Sequence, residues 1–468
     1  MKAGFDTLIR NATVVTPQSV APLDIAITNG RIAALLAPGT PAMARDIIDA
    51  RGLHVLSGAI DIHCHVRAPA FPERGTVESE TRAAAAGGIT TLFEMPISKP
   101  CCNTAERVIL RRDHFAASAL VDFALYAAPA DLSPHAIEAS VNAGIVAFKI
   151  FTTAAPAGRE DEFAGLAIPD EGQQLATLQA LAKTGLPVVV HAESEPLLRY
   201  FQARGRGLNP SLATTHNALR PPVCEAVAVA KLLTLNMEAG AKLHIAHVTS
   251  ALTVEVLRRF KGTSDFSAET CPHYLIRTVS DIQAAGVFGK INPPVRDHAD
   301  QEALWSALAD GTITHVTTDH ASFAHAEKQA HLGDFPNAPP GAPGLEILVP
   351  SMLDAVAKGR IDLKRMTELL SGNAACRFNI PDKGSIRLGA DADLMLVDLS
   401  ARTQIEASRL FTHARDVAHL YDGAEFQGRI DRTILRGMTV YRAGEITGAA
   451  GRGRYIEPTP VSPARAVA

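Results

Sequence analysis

The chain has 468 residues, 47% of them hydrophobic and 20% charged, with 45 Lys and Arg against 49 Asp and Glu for a net charge of −4. This balance, with no basic cluster to track phosphates, argues against a nucleic-acid partner. No apolar run reaches the ~18 residues of a membrane span. The length suffices for a large buried core and more than one domain.

The amino-terminal stretch MKAGFDTLIRNATVV lacks the apolar segment and small-residue cleavage site of a secretory signal. Residues 1–55 read as short strands with turns: DTLIRNATVV, LDIAITNGRIAALL and ARDIIDARGLHVL. Asn29-Gly30 is a strong hairpin signal. Residues 56–379 alternate strands with helical segments, as in ESETRAAAAGGITTLFEMP and DEGQQLATLQALAKTGLPVVVHAE. Such alternation predicts a parallel sheet with right-handed crossovers. Residues 380–447 return to a β pattern in GADADLMLVDLS and RTILRGMTVYRAGE, and are expected to join residues 1–55 in a small β-sandwich beside the parallel sheet. The segment 448–468 is rich in Gly, Pro and Ala without periodicity, which reads as an irregular tail or a subunit contact. The six cysteines (Cys64, Cys101, Cys102, Cys224, Cys271, Cys376) show no regular spacing. Free thiols in a cytoplasmic protein are therefore expected, not a disulfide framework.

The chemistry concentrates at the ends of apolar, β-branched runs. SGAIDIHCH carries His63 and His65, AGIVAFKIF carries Lys149, LPVVVHAE carries His191, AKLHIAHVTS carries His247 and TITHVTTDH carries Asp319. With roughly 30–45 residues per βα unit, the successive intervals correspond to three units, one, one and two. That places the six residues on strands 1, 4, 5, 6 and 8 of an eight-fold (β/α)8 TIM barrel. His63 and His65 are separated by one residue, so on a strand they point to one side while Cys64 points into packing. Alone, such a pair is as readily a hydrogen-bonded core feature. The set of six makes a ligand group for two divalent metals, and imidazole suits Zn²⁺.

Lys149 is the odd member, because a cationic lysine cannot ligate a metal. By itself it would read as a buried lysine paired to a carboxylate. Within this set, a carbamate formed from the neutral amine and CO₂ solves the problem. It is an anionic ligand with two oxygens, able to bridge two metals. Its charge and that of Asp319 offset part of the +4 of two dications. Asp319 can also take a proton from an attacking water and return it to a leaving nitrogen. His320 reads as structural.

These motifs bring a resemblance into view. With ETCPHYL, KINPPVRD, TTDHASF, GAPGLE, VVVHAE, HIAHVTS, AFKIF, TRAAAAGGITTLFEMP and GAIDIHCH, the chain from about Leu8 to Tyr441 resembles the cyclic amidohydrolases of the amidohydrolase superfamily: dihydroorotases, allantoinases and hydantoinases. The resemblance implies a (β/α)8 barrel flanked by a β-sandwich from both termini, two zinc ions and a carboxylated lysine at Lys149. It implies that His63 and His65 bind one metal with Asp319, that His191 and His247 bind the other, and that Lys149 bridges them.

For the substrate the resemblance is mixed. Arg67 matches the arginine with which dihydroorotases grip a substrate carboxylate, a task suited to a guanidinium fork. Two further dihydroorotase features are replaced, by Ile97 where an Asn is expected and by Phe323 where a His is expected. Ala154 stands where hydantoinases carry a tyrosine. The TRAAAAGGITTL and EMP stretches look most like allantoinases, which usually lack the arginine. Asn292, in KINPPVRD, matches a position that touches the substrate ring through its backbone, and Pro293-Pro294 would stiffen that loop. His273 reads as packing, and PNAPPGAPGLE at 336–346 as a mobile loop able to shape or cover the pocket.

The expected activity is a binuclear-metal hydrolase that opens the C–N amide bond of a cyclic amide or ureide by hydroxide attack. It would be allantoinase- or dihydroorotase-like, with a hydantoinase or dihydropyrimidinase type as the alternative. The expected partners are a small cyclic amide and further copies of the chain in a dimer or tetramer, without nucleic acid or membrane. A non-catalytic scaffold on the same fold is the rival of a different class. Such scaffolds lose ligands, whereas this chain keeps all six.

Overall fold

A computed structural model describes residues 4–459. Its centre is a closed parallel barrel. Strand 1 is Ala59–His65, strand 2 Ile89–Glu94, strand 3 Asp122–Ala127, strand 4 Ala147–Phe151, strand 5 Pro187–His191, strand 6 Lys242–Ile245 and strand 7 Phe266–Thr270. Strand 8 comes in two short pieces, His315–Val316 and His320–Ala321. The first piece pairs with strand 7 and the second with strand 1, which closes the ring. The expected strand 8 running unbroken into Asp319 is thus interrupted at 317–319. Asp61 of strand 1 fills the break, accepting hydrogen bonds from the Thr318 N–H at 3.0 Å, the Thr318 hydroxyl at 2.6 Å and the Thr317 hydroxyl.

The strands form because they are short β-branched runs buried on both faces, as Val188, Val189 and Val190 illustrate. The helices between them turn one stripe inward. In Glu171–Ala182 the buried residues Gln174, Thr177, Leu178 and Leu181 recur at helical spacing, and the Asp170 side chain caps the start. Val77–Ala86 begins at a Thr76–Ser79 capping box and buries an alanine-rich face, which lets it lie close to the barrel.

Both ends of the chain build a second sheet. Phe5–Val15, Val20–Thr28, Arg31–Leu36, Ala44–Asp49 and His54–Ser57 join Leu394–Gln404, Glu425–Leu435, Met438–Arg442 and Glu445–Ile446. The seam is antiparallel, with Ser57 opposite Leu394. The sheet forks at its first strand, whose start pairs with Ala44–Asp49 and whose end pairs with His54–Ser57. A separate core of Ile9, Val14, Ile25, Val55, Leu394 and Ile434 fills it. Asn29 and Gly30 both have positive φ, 52° and 76°, as a tight two-residue hairpin turn requires.

A buried clasp fastens this sheet to the barrel. Lys383 Nζ lies 2.8 Å from Asp122 of strand 3, 3.1 Å from Asp391 and 2.5 Å from Asp393, and Arg436 also meets Asp122. Removing the lysine would leave three carboxylates crowded in a dry site. Lys383→Met is therefore expected to cost about 3–5 kcal/mol, seen as a lowered melting temperature. An unchanged Tm would show that the clasp contributes nothing to stability.

The described part of the tail is irregular but tied down. Arg454 and Ile456 exchange backbone hydrogen bonds with Phe123 at 2.9 and 2.8 Å, and the Gly453 N–H donates to the Ala119 carbonyl. Residues 460–468 lie outside the described residues. Among the described residues no helix is long and apolar enough to cross a membrane, and all six cysteines are free.

Candidate metal centre

The carboxyl ends of the barrel strands bring the four histidines, Lys149 and Asp319 together. His63 Nε2 and His65 Nε2 each lie 3.3 Å from the same oxygen of Asp319. His191 Nδ1 and His247 Nε2 face each other at 3.0 Å. The two pairs adjoin, with the His63 and His247 ring centroids 5.4 Å apart. Burial, with the positive charge of Lys149 and neighbouring imidazoles, holds His63 and His247 well below the usual histidine range, and His65 falls to about 4. The rings are therefore neutral and offer lone pairs. Burial alone would raise Asp319, but the His65 hydrogen bond and the nearby His247 bring it well below the usual carboxylate range.

Lys149 sits within strand 4, fully buried, and its Nζ has no hydrogen-bond partner. Its charge acts on His63, His65, His191 and His247 alike, which puts it between the two pairs. Burial lowers it to about 8, against the pull of Glu269 and Asp319. An unpaired buried ammonium is costly, whereas a neutral amine here is cheap. Imidazole lone pairs and a carboxylate converge here around a lysine nitrogen that none of them accepts from. Such a group fits divalent cations.

Backbone strain accompanies the site. Arg67, His247 and Asp319 all have positive φ, at 63°, 38° and 46°. Each such residue costs on the order of 1–3 kcal/mol unless its surroundings impose it. Here they do. Glu94 accepts the N–H groups of Val66 and Arg67 at 2.8 and 2.7 Å, and the Ser98 hydroxyl donates to the Arg67 carbonyl. The Val248 N–H donates to the Glu269 carbonyl at 2.8 Å.

Four carboxylates that the sequence reading passed over hold this arrangement. Glu269 meets His63 Nδ1 and lies 3.0 Å from His244 Nε2. Glu193 lies 2.8 Å from His191 Nε2 and is gripped by Arg220. Asp61 and Glu94 brace the ends of strands 8 and 1 as described. The available signal was an acid embedded in a buried strand run, AIDIH, LFEM or FSAET, since such a group must find a partner inside. His320, next to Asp319, accepts the Gly344 N–H at 3.1 Å and reaches Glu80 at 3.0 Å.

Arg67 is 4% exposed, and its Nε and Nη1 have no hydrogen-bond partner. Its guanidinium lies 4.6 Å from the centre of the Phe323 ring, whose centre is also 4.9 Å from Arg74. Arg74 is bound to Glu327, and Arg159 to Glu162. With Glu94 and its partner Arg111, four guanidinium groups face three carboxylates around Arg67. Burial, then Arg159 and Arg74, lowers Arg67 to about 9. Asn292 has a buried Oδ1 without a partner. Its loop is fixed by His216 on the Ile291 carbonyl at 3.0 Å and by the Tyr274 hydroxyl on the Pro293 carbonyl at 2.8 Å. The segment 336–346 is not the mobile cover expected from its composition. Buried Lys290 holds the Pro336 and Ala338 carbonyls at 2.8 and 2.6 Å, and the Gly341 N–H bonds back to the Lys290 carbonyl.

Known proteins resemble this chain over nearly its whole length. The chain is 36% identical to an allantoinase of Rubrobacter xylanophilus, over 97% of this chain and 98% of that one. It is 32% identical to an L-hydantoinase of Paenarthrobacter aurescens, again over 97% and 98%. The solved L-hydantoinase (dihydropyrimidinase) from Arthrobacter aurescens superposes with a TM-score of 0.91 at 31% identity, covering 97% of this chain and 100% of that one. Residues 54–440 match the model of the Amidohydrolase family. With that match across most of its length, the chain belongs to the amidohydrolase family.

Proposed function

We propose that the protein is a metal-dependent hydrolase that opens the C–N amide bond of a cyclic amide or ureide. The observation that carries this reading is the convergence of four neutral imidazoles and Asp319 around an orphaned buried lysine. His63, His65 and Asp319 would hold one divalent ion and His191 with His247 the other, zinc suiting both sets. Lys149, as a carbamate, would hold the two together. When bound, these ions supply Lewis acidity towards the ring carbonyl and a water acidified towards a pKa of about 7.

The remaining work falls to the chain itself. Asp319, kept ionised beside His65, accepts the proton of the attacking water and returns it to the ring nitrogen as the C–N bond breaks. The complete residue set opposes the scaffold reading, because a scaffold has no need of four buried, converging histidines. Ring-opening assays with metal-loaded protein on allantoin, hydantoins, dihydrouracil and dihydroorotate test the proposal. Hydrolysis of none of them would remove it.

Arg67 and Asn292 line the substrate side in this reading. The excess guanidinium charge around Arg67 supports an acidic or strongly polar substituent on the ring, while Phe323 offers an apolar wall. Arg67→Met is expected to raise KM for an acidic substrate by one to two orders of magnitude, the equivalent of a charged hydrogen bond of ~1.5–3 kcal/mol. A neutral analogue should be little affected. Equal losses on both substrates would make Arg67 structural, removing the dihydroorotase-like reading and leaving the allantoinase- or hydantoinase-like one.

A further inference from the structure

Each imidazole pair contains one ring held by a carboxylate at the nitrogen pointing away from the pair, and one whose outer nitrogen has no partner. In the first pair Glu269 engages His63 Nδ1, leaving Nε2 as the nitrogen that faces Asp319, while His65 Nδ1 has no partner. In the second pair Glu193 engages His191 Nε2, leaving Nδ1 to face His247, whose own Nδ1 has no partner. The two carboxylates therefore fix opposite nitrogens of their rings, and each fixes the one pointing away from its pair. A ring held at its outer nitrogen cannot turn its inner lone pair aside, which is how a supporting carboxylate governs a metal-binding imidazole.

The two supports share no side chain. Glu193 is buried against Arg220, whose Nε lies 3.1 Å from it, so its charge is already matched. Glu269 has two imidazole side-chain partners, His63 and His244, with His244 in turn held 2.7 Å from the Ser267 hydroxyl, and it lies near Lys149. It also faces the His247 backbone N–H, from which a glutamine carbonyl could accept as well. With Lys149 as a carbamate its positive charge is gone, and a cation on the far side of His63 would be the charge that balances Glu269.

Resting on the two-cation reading above, we infer that Glu269 and Glu193 are positioning residues that each govern retention of one cation and not the other. Glu269 serves the His63–His65–Asp319 site and Glu193 the His191–His247 site. Because Arg220 already compensates Glu193, loss of Glu269 has the larger effect.

The test uses the full chain and zinc alone. Zinc retention is measured against a competing chelator in the wild type, Glu269→Gln and Glu193→Gln, and anomalous diffraction then reads the occupancy of each site. Supporting carboxylates of this kind are worth about 10–100-fold in affinity. Glu269→Gln is expected near the upper end at the first site and Glu193→Gln near the lower end at the second, each leaving the other site within about threefold of wild type. Equal loss from both sites in either variant, or no loss in either, overturns the inference. Wild-type protein that binds no zinc overturns the two-cation reading itself. Glu269→Asp, which keeps the charge but withdraws it by one methylene, should weaken the same site and serves if Glu269→Gln fails to fold.

Discussion

Lys149→Ala is expected to fold, to retain at most one divalent ion and to lose more than about a hundredfold in activity, beyond the range for residues that merely support a ligand. The reasoning starts from the orphaned Nζ. A buried ammonium with no acceptor, beside four imidazoles that would bind cations, is the least stable form this side chain could take. With the amine lowered to about 8, a minor neutral fraction, roughly a tenth, exists at neutral pH, far more than for a free lysine, and that fraction can react with CO₂. The product is an anion where a cation had been, with two oxygens placed between the pairs. Alanine supplies neither charge nor reach. It also leaves a slot the length of a lysine side chain, so a short carboxylic acid added to the solution should partly restore both metal and activity. Metal analysis decides the matter, since two ions in an active Lys149→Ala protein would exclude the carbamate.

The second large effect is at Asp319. Asp319→Asn should retain the fold and lower kcat by about 10²–10⁴-fold, the usual contribution of a general acid–base group. Loss of the ligand's charge should add to this. Asparagine is the informative substitution because of the backbone. At φ 46° the residue lies in the left-handed region, where Asn and Asp are the most tolerant side chains after glycine. An alanine variant would mix a chemical loss with a conformational one. A fall in kcat of less than about tenfold would move the proton-transfer role to another residue.

The barrel and the six converging residues were legible because the physics behind them is periodic. Buried strands recur at βα intervals, and each ends in a residue type that has little reason to be buried without a ligand. Lys149 stood out by its charge before its surroundings were known. What the linear pattern hid were the partners that arrive from elsewhere in the chain. Glu269 reaches His63 across 206 positions, and no spacing rule links them. Glu193 is two residues from His191, yet its importance depends on Arg220 coming from the far side of a helix–loop excursion. The composition of 336–346 suggested mobility because Gly and Pro dominate it, but a single buried lysine, Lys290, supplies the hydrogen bonds that fix it. Phe323 could be seen as a departure from dihydroorotases. That its ring lies between two guanidinium groups could not.

The terminal sheet also sets a schedule for synthesis. His54–Ser57 finds its antiparallel neighbour only at Leu394–Val397, on the far side of the entire barrel. At 5–20 residues translated per second, that interval lasts on the order of half a minute. Throughout it the first strands have left the ribosome with one edge unpaired, a surface open to chaperones and to neighbouring nascent chains. The barrel can close before its companion sheet does, so a segment translated after the barrel finishes the structure that one translated before it began.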